Sequence, residues 1–502
     1  NIHCNLAMGK PLRRAILDGA QQIAVPAFVA TSAICIVFVS VVFLEGPLRY
    51  LFVPFALAVV FAVFASYLLS RTIVPVLVEF FLKSELAAAG RPRRGLARLF
   101  GGLHDAFERA FGAFRSSYVG ALAWSLRHRV LVVVAMVLVT GAGVAIAPYV
   151  GRDFFPSVDA GQIRLHVRGP SNLRIEETER LFQRVEDELR AEIPPADLDQ
   201  ILDNFGRFEG INMAFRDTAN LGPFDGEVLV SLKPEHARTT EDYVEKLRLR
   251  LPAAFPGVTF YFQPADIVTQ ILNFGLPAPI DVQITGPDRA ANLKAARKLT
   301  NDLAKIPGLV DVHVHQVVDA PRLHLDVDRT RALEQGLAQR DVANNVLVTL
   351  SGTAQVQPAY WVDPTTSRNY LITSQTPQLE LASVDDLATT PISTPTGRSA
   401  LLGDLATMTR TTTAVNITHA SVQPCFDVYA SVQGVDLGSV EGPLRAACEE
   451  AKSSLPPGSS VEVRGQIQSM DDAFTRLLIG IAFAALLVYA LMVVNFQSWT
   501  DP

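Results

Sequence analysis

The stretch AVPAFVATSAICIVFVSVVFLEGPLRYLFVPFALAVVFAVFASYLL, residues 24–69, decides the class of this protein. Residues 24–44 carry no charge across 21 positions and residues 51–69 none across 19. A helix needs about 20 apolar residues to cross a hydrocarbon core about 30 Å thick. Residues 130–150 and 477–494 are further runs of this kind. The chain of 502 residues, 49% of them hydrophobic, is therefore expected to span a membrane four times.

Between the second and third runs lies a basic segment. Lys83, Arg91, Arg93, Arg94, Arg98, Arg109, Arg115, Arg127 and Arg129 stand there against only Glu85, Asp105 and Glu108, so this loop is expected on the cytoplasmic side. Leu99, Leu103, Phe107, Phe111, Phe114, Tyr118 and Leu122 recur within it every three or four residues, which predicts an amphipathic helix in the membrane interface. Alternation then sends the short EGPLRY turn, and everything between residues 150 and 477, to the outer side.

The outer region repeats a pattern. RAEIPPADLDQIL, PAAFPGVTFYF, LAKIPGLVDVHV and SSLPPGSSVEV each run a charged helix into a proline-marked break and then a strand. QIRLHVRGPSNLRIEETERLF and IDVQITGPDRAANLKAARKL each lead an alternating strand through Gly-Pro into a capped helix. Such units in pairs form βαβ-βαβ sandwiches of the ferredoxin-like type. One is expected at about 160–265 and a second, split, at about 278–328 and 409–465. Residues 329–408 interrupt the second and are rich in Thr, Gln and Pro, an insertion suited to docking.

Several segments together resemble the resistance-nodulation-division (RND) efflux pumps. They are NLAMGKPLRRAILDGAQQIAVPAFVATSAICIVFVSVVFLEG (5–46), SYLLSRTIVPVL (66–77), RDFFPSVDAGQIRLHVRGP (152–170), FYFQPADIVTQILNFGLPAPIDVQITG (260–286) and VVNFQSWTDP (493–502). The resemblance covers essentially the whole chain and implies a fold class that is membrane α-helical plus α+β. Four transmembrane helices would carry ferredoxin-like periplasmic porter subdomains and an inserted docking subdomain. The implied division is 1–82 for the cytoplasmic start and two membrane helices, 83–129 for the basic loop, 130–150 for the third membrane helix and 151–277 for the first porter subdomain. Residues 278–328 and 409–465 then form the second porter subdomain, 329–408 the docking insertion and 466–502 the last membrane helix.

The chain begins NIHCNLAMGK without an initiator methionine and stops at VVNFQSWTDP just past an apolar run, so it is expected to be a segment of a longer pump. The resemblance places it from the fifth to the eighth of twelve membrane helices. It implies a proton-driven homotrimer in the bacterial inner membrane, working with a periplasmic adaptor protein and an outer-membrane channel. A relay of protons needs ionisable groups within the bilayer, and the four apolar runs contain none between their ends. In the family those groups belong to helices before Asn1 and after Pro502.

Substrate handling is better represented. NFGRFEGINMAFRDTANLGPFDG, residues 204–226, sets Phe205, Phe208, Met213, Phe215 and Phe224 among glycines and polar residues. A glycine-rich loop with large apolar side chains can repack around varied amphiphilic small molecules, and in the family this stretch resembles a loop at the porter cleft. The strand after it, EVLVSLK, offers Leu229 where the best-known drug pumps have an aromatic.

Two alternatives stay open: a heavy-metal cation exporter of the same family, and a split or degenerate half serving as a non-transporting membrane scaffold. For the first, His313, His315 and His324 fall on two expected neighbouring strands, and alternation would put His313 and His315 on one face. More often such histidines line a solvated sheet, and no metal site is assigned. Cys425 and Cys448 could be joined in an oxidising compartment, although two small buried residues is the plainer reading. No nucleophile with a neighbouring base, phosphate loop or cofactor motif is present, so an enzyme is not expected. A net charge of −6 over this length gives no ground for nucleic-acid binding.

Overall fold

The computed structural model describes residues 1–88, 96–146, 149–154, 159–206, 220–273, 275–394, 397 and 399–500. The chain divides into two compact units, one holding Asn1–Ala160, Pro264–His313 and Asp427–Pro502, the other Gly161–Gln263 and Val314–Phe426.

In the first unit a short helix α1 (Ile2–Ala7) precedes α2 (Leu12–Val39), which tightens into a 3-10 turn at Ser40–Phe43. Then come α3 (Gly46–Ala88), α4 (Leu96–Arg127) and α5 (Arg129–Ile146). Stretches Leu12–Phe43, Leu48–Lys83 and Arg129–Ile146, with Gln466–Phe496 near the other end, are long and apolar enough to cross a membrane. Phe55, Phe61 and Leu138 lie exposed on these helices, as lipid-facing side chains do.

The second span is longer than its uncharged run. Helix α3 continues past Leu69 through Arg71 and Glu79, because the helix need not stop where charge begins; only its hydrocarbon-facing middle must be neutral. Arg71 donates from its guanidinium to the Ala20 carbonyl, and Arg13 pairs with Glu79 at 2.9 Å. Of the amphipathic stripe on α4, Phe107, Phe111, Phe114, Tyr118 and Leu122 are exposed together, and the first two stack at 6.1 Å.

The second unit opens with β1 (Gln162–Arg168), α6 (Ile175–Glu192), β2 (Leu198–Phe205), β3 (Asp225–Leu232), α7 (Thr240–Ala254) and β4 (Thr259–Gln263). The strands form one sheet in the order β2-β3-β1-β4, with every pairing antiparallel. Ile163, Leu165 and Val167 alternate toward α6 and α7, where Phe182, Leu189, Tyr243 and Leu247 complete a closed core. The same alternation sends Arg164, His166 and Arg168 to the opposite face.

A short helix α8 (Ile267–Leu272) leads back into the first unit. There β5 (Ile280–Thr285), α9 (Arg289–Leu303) and β6 (Leu309–Val314) begin a second sheet. Helix α9 is capped as expected, since Asp288 accepts from the amides of Ala290 and Ala291, both at 3.0 Å. Helix α6 is not: its N-cap is Arg174, which makes no side-chain cap, and Glu176 and Glu177 in the first turn favour the helix dipole instead. Asp288→Ala should cost about 1 kcal/mol and speed amide exchange in the first turn of α9. Unchanged exchange there would show that the cap is dispensable.

The strand β7 (Ala320–Val327) departs from expectation. Its position within 278–328 predicts a place in the second sheet, yet it pairs with β12 (Ala406–Thr413) in a separate antiparallel ribbon, Ala320 opposite Thr413 and Val327 opposite Ala406. Between them lie α10 (Arg329–Glu334), α11 (Gln339–Ser351), the hairpin β8 (Ala359–Val362) with β9 (Asn369–Ile372), α12 (Val384–Ala388), β10 (Pro391–Ser393), β11 (Ser399–Leu401) and α13 (Leu402–Leu405). This insertion has its own small core, in which Leu337, Val342, Ile392 and Leu402 are buried.

The chain returns through β13 (Thr418–Ala420), β14 (Gln423–Val432), α14 (Leu437–Ser453) and β15 (Ser460–Gly465) into α15 (Gln466–Phe496). Strand β14 lies between β5 and β6, and β15 pairs antiparallel with β5, so the second sheet is assembled from segments on both sides of the insertion. Gly257, Gly308 and Gly458 take positive φ of 84°, 90° and 88° in the proline-marked turns, the conformation that calls for glycine. Cys425 and Cys448 are buried and not joined by a disulfide, and burial pushes the Cys448 thiol up to about 11.

Candidate functional site

The polar face of the first sheet is built by register. Pairing sets Arg168 opposite Asp225, and His166 between Glu227 on β3 and Tyr261 on β4. Arg164 grips Glu227 with two hydrogen bonds, 2.7 Å from Nη2 and 3.2 Å from Nε. His166 stacks on Tyr261 with ring centroids 4.4 Å apart, and its Nε2 lies 3.3 Å from Asp225 Oδ2. Arg168 donates from Nε to Asp225 at 3.4 Å, from Nη1 to the His315 carbonyl at 3.1 Å and from Nη2 to the Tyr261 hydroxyl at 3.2 Å.

Asp225 joins this network to the glycine-rich loop. Its second oxygen, Oδ1, accepts from the backbone amides of Leu221 at 2.8 Å and Gly222 at 3.2 Å. Around it the loop's two ends are tied down: Gly206 donates to the Asp225 carbonyl at 3.0 Å, and Thr178 on α6 donates to the Pro223 carbonyl at 2.7 Å. Gly226 must lack a side chain, since a Cβ there would lie 2.5 Å from Phe205 Cα.

The electrostatics follow from burial and pairing. Burial drives the His166 imidazole down, opposed by its bond to Asp225, so the ring is neutral at neutral pH. Burial alone would raise Asp225. The bond from His166, the charge of Arg168 and the Gly222 amide outweigh it and hold the carboxyl below its usual range. His315 is pushed down to about 4 by burial and by the neighbouring Arg168 and His166. Gln263 is 6% exposed and neither of its amide atoms finds a partner.

Of the five side chains expected to meet substrate, two fall within the described residues. Phe205 ends β2 and packs on Phe182 of α6 with centroids 5.0 Å apart; Phe224 is 2% exposed. Phe224 is thus buried and Phe205 partly buried at the base of the loop. Phe208, Met213 and Phe215 lie outside the described residues. The histidines expected to share neighbouring strands do not: His313 is on β6 beside β14, while His324 is on β7, opposite Thr409 of the ribbon. Among the described residues no three His, Cys, Asp or Glu side chains are grouped as a metal ion would need.

Sequence reading missed Asp225, His166, Arg168 and Tyr261. The signal was present in the alternation of QIRLHVR and FDGEVLVSL, whose charges complement one another only once the antiparallel register is known.

A model of the AcrB/AcrD/AcrF family matches residues 1–502. The cobalt-zinc-cadmium resistance protein CzcA of Cupriavidus metallidurans is 24% identical over 512 residues, covering 99% of this chain and 45% of CzcA. The multidrug resistance protein MdtC of Pectobacterium carotovorum is 23% identical over 512 residues, covering 100% of this chain and 46% of MdtC. The putative cation efflux system protein SilA of Salmonella typhimurium is 22% identical over 490 residues, at 96% and 44% coverage. The crystal structure of a heavy metal efflux pump superposes with a TM-score of 0.71 at 20% identity, over 98% of this chain and 47% of that one. At that identity the likeness speaks for the fold alone. The chain spans about half the length of the curated relatives it matches.

Proposed function

The chain belongs to the AcrB/AcrD/AcrF family of RND transporters, multi-pass proteins of the inner membrane with periplasmic domains, and on that premise we propose that it forms part of a proton-driven exporter of amphiphilic compounds. Cargo would be taken from the periplasm and membrane and passed to an outer-membrane channel, with a periplasmic adaptor and two further copies of the complete pump. We read both sheets as ferredoxin-like porter subdomains. Supporting this, the order β2-β3-β1-β4 recurs in the second sheet as β6-β14-β5-β15. The insertion between β7 and β12 is read as the docking element.

The observation that carries the choice of cargo is the loop 204–226. Its base is fixed by Asp225, Phe205 and Phe224, and the sequence between these anchors supplies Phe208, Met213 and Phe215. A glycine-rich segment carrying several large apolar side chains suits ligands of varied shape. In the complete transporter, Phe208→Ala with Phe215→Ala should change which dyes and detergents are exported by about tenfold in inhibitory concentration, corresponding to about 1.4 kcal/mol in binding. An unchanged profile across the panel would remove the loop from cargo recognition.

A second reading, export of metal cations, is favoured by the names of relatives such as CzcA and SilA. It would leave the loop double variant with an unaltered dye profile and give the complete transporter a metal-resistance phenotype.

A further inference from the structure

Within the first unit, a cavity of about 440 Å³ opens between the α2–α3 turn, the strands β5 and β15 and the start of α15. That volume lies in the range of small-molecule sites. Two of its lining residues each carry a buried acceptor without a hydrogen-bond partner, Asp281 Oδ1 and Gln283 Oε1. Asp281 is 0% exposed. The remaining atoms of this pair are already committed: the Gln283 amide nitrogen donates to Asp281 Oδ2 and to Asp427 Oδ1, both at 3.0 Å. One neutral amide thus bridges two carboxylates and turns its oxygen away from them.

The cations around the cavity do not fill this need. Arg464 on β15 pairs with Glu462 at 3.1 Å, and Arg476 on α15 pairs with Glu45 of the α2–α3 turn at 2.7 Å. Asp472 adds a further carboxylate at the exposed rim. Leu48, Phe154 and Leu276 supply an apolar side to the same space. Buried acceptors left unpaired are costly, and the cost is recovered when a donor arrives. Two such acceptors are too few for calcium or magnesium, which take six or more oxygens, or for zinc, which takes four ligands.

We propose that this cavity binds the cationic, N–H-bearing head of an amphiphile, with Asp281 Oδ1 and Gln283 Oε1 as its acceptors and Leu48, Phe154 and Leu276 against its apolar body. The cavity shares no residue with the glycine-rich loop, and the proposal rests on the exporter reading only in the choice of an amphiphilic probe. In the empty cavity, burial first and the charge of Asp427 second push the Asp281 carboxyl up to about 7, with Gln283 and Arg464 opposing. A bound cation would therefore compete with a proton.

The test is equilibrium binding of ethidium, whose charge is independent of pH, to the purified full chain in neutral detergent, read by fluorescence. The anion fluorescein serves as the opposite-charge control. Asp281→Asn should weaken ethidium binding by about thirtyfold or more at pH 8, the loss expected when a buried charge partner is removed. In the parent protein the affinity should fall as pH drops through about 7, and Asp281→Asn should abolish that slope. In Phe208→Ala with Phe215→Ala the pH-dependent component of ethidium binding, the part that Asp281→Asn abolishes, should persist, so a failure of the loop reading is distinguishable from a failure here. Equal binding of fluorescein and ethidium, or a parent affinity flat from pH 5 to pH 9, would overturn the proposal even if the Asn variant did not fold.

Discussion

Asp225→Ala is expected to destabilise the first sheet and the helices packed on it by about 3–5 kcal/mol and to release the base of the glycine-rich loop. Asp225 is fully buried and serves four donors at once: the amides of Leu221 and Gly222, His166 and Arg168. Without it the Arg168 guanidinium, whose side chain is 9% exposed, keeps only a carbonyl and a phenol as partners. An uncompensated buried charge is the expensive part of that change. Hydrogen exchange should report it as faster exchange of the Leu221 and Gly222 amides, with Asp225→Asn falling between parent and alanine. Parent-like protection of both amides in the alanine variant would show that the loop is held by something else.

Because the folded pKa of Asp225 is depressed, its contribution is present above the ordinary carboxylate range and is lost as pH falls through the folded value.

Asp281→Asn has the opposite signature. Its folded pKa is raised to about 7 from 3.8, so the protonated form is the one the fold favours. Stability from this group is fully present below the unfolded pKa and is lost as pH rises through about 7. A shift of about three units corresponds to a differential on the order of 4 kcal/mol. The asparagine variant, without ligand, should therefore match the parent near pH 4 and become more stable than it as pH rises, levelling off above pH 7. Thermal unfolding at several pH values measures this. A difference independent of pH would mean that Asp281 ionises freely.

What the sequence made legible was whatever depends on local pattern. The uncharged runs around Phe28, Phe61, Leu138 and Leu486 announce helices because hydrocarbon admits only internally bonded backbone. The proline-marked turns at Gly257, Gly308 and Gly458 announce the strands that follow, since glycine alone accepts those angles at low cost. Recurrence of that unit on both sides of the insertion foretold a sheet assembled from distant segments.

What stayed hidden depends on register and on pairing across distance. His166 reads as one polar residue in a strand; its meaning comes from Asp225, 59 positions later, and from Tyr261 on the other neighbour. Asp281 and Gln283 read as ordinary polar positions of an alternating strand until Asp427 is brought beside them. Strand β7 was misassigned for the same reason, as its alternation cannot say whether β5 or β12 lies beside it. The extension of α3 beyond Arg71 escaped because a charge ends the uncharged run without ending the helix.

The most direct test of the account is cargo class in the complete transporter containing this chain, expressed in cells stripped of their own efflux pumps. Ethidium accumulation and zinc sensitivity would be measured side by side. The account predicts lower ethidium accumulation with zinc sensitivity unchanged. Zinc tolerance with ethidium accumulation at the level of empty cells would contradict it.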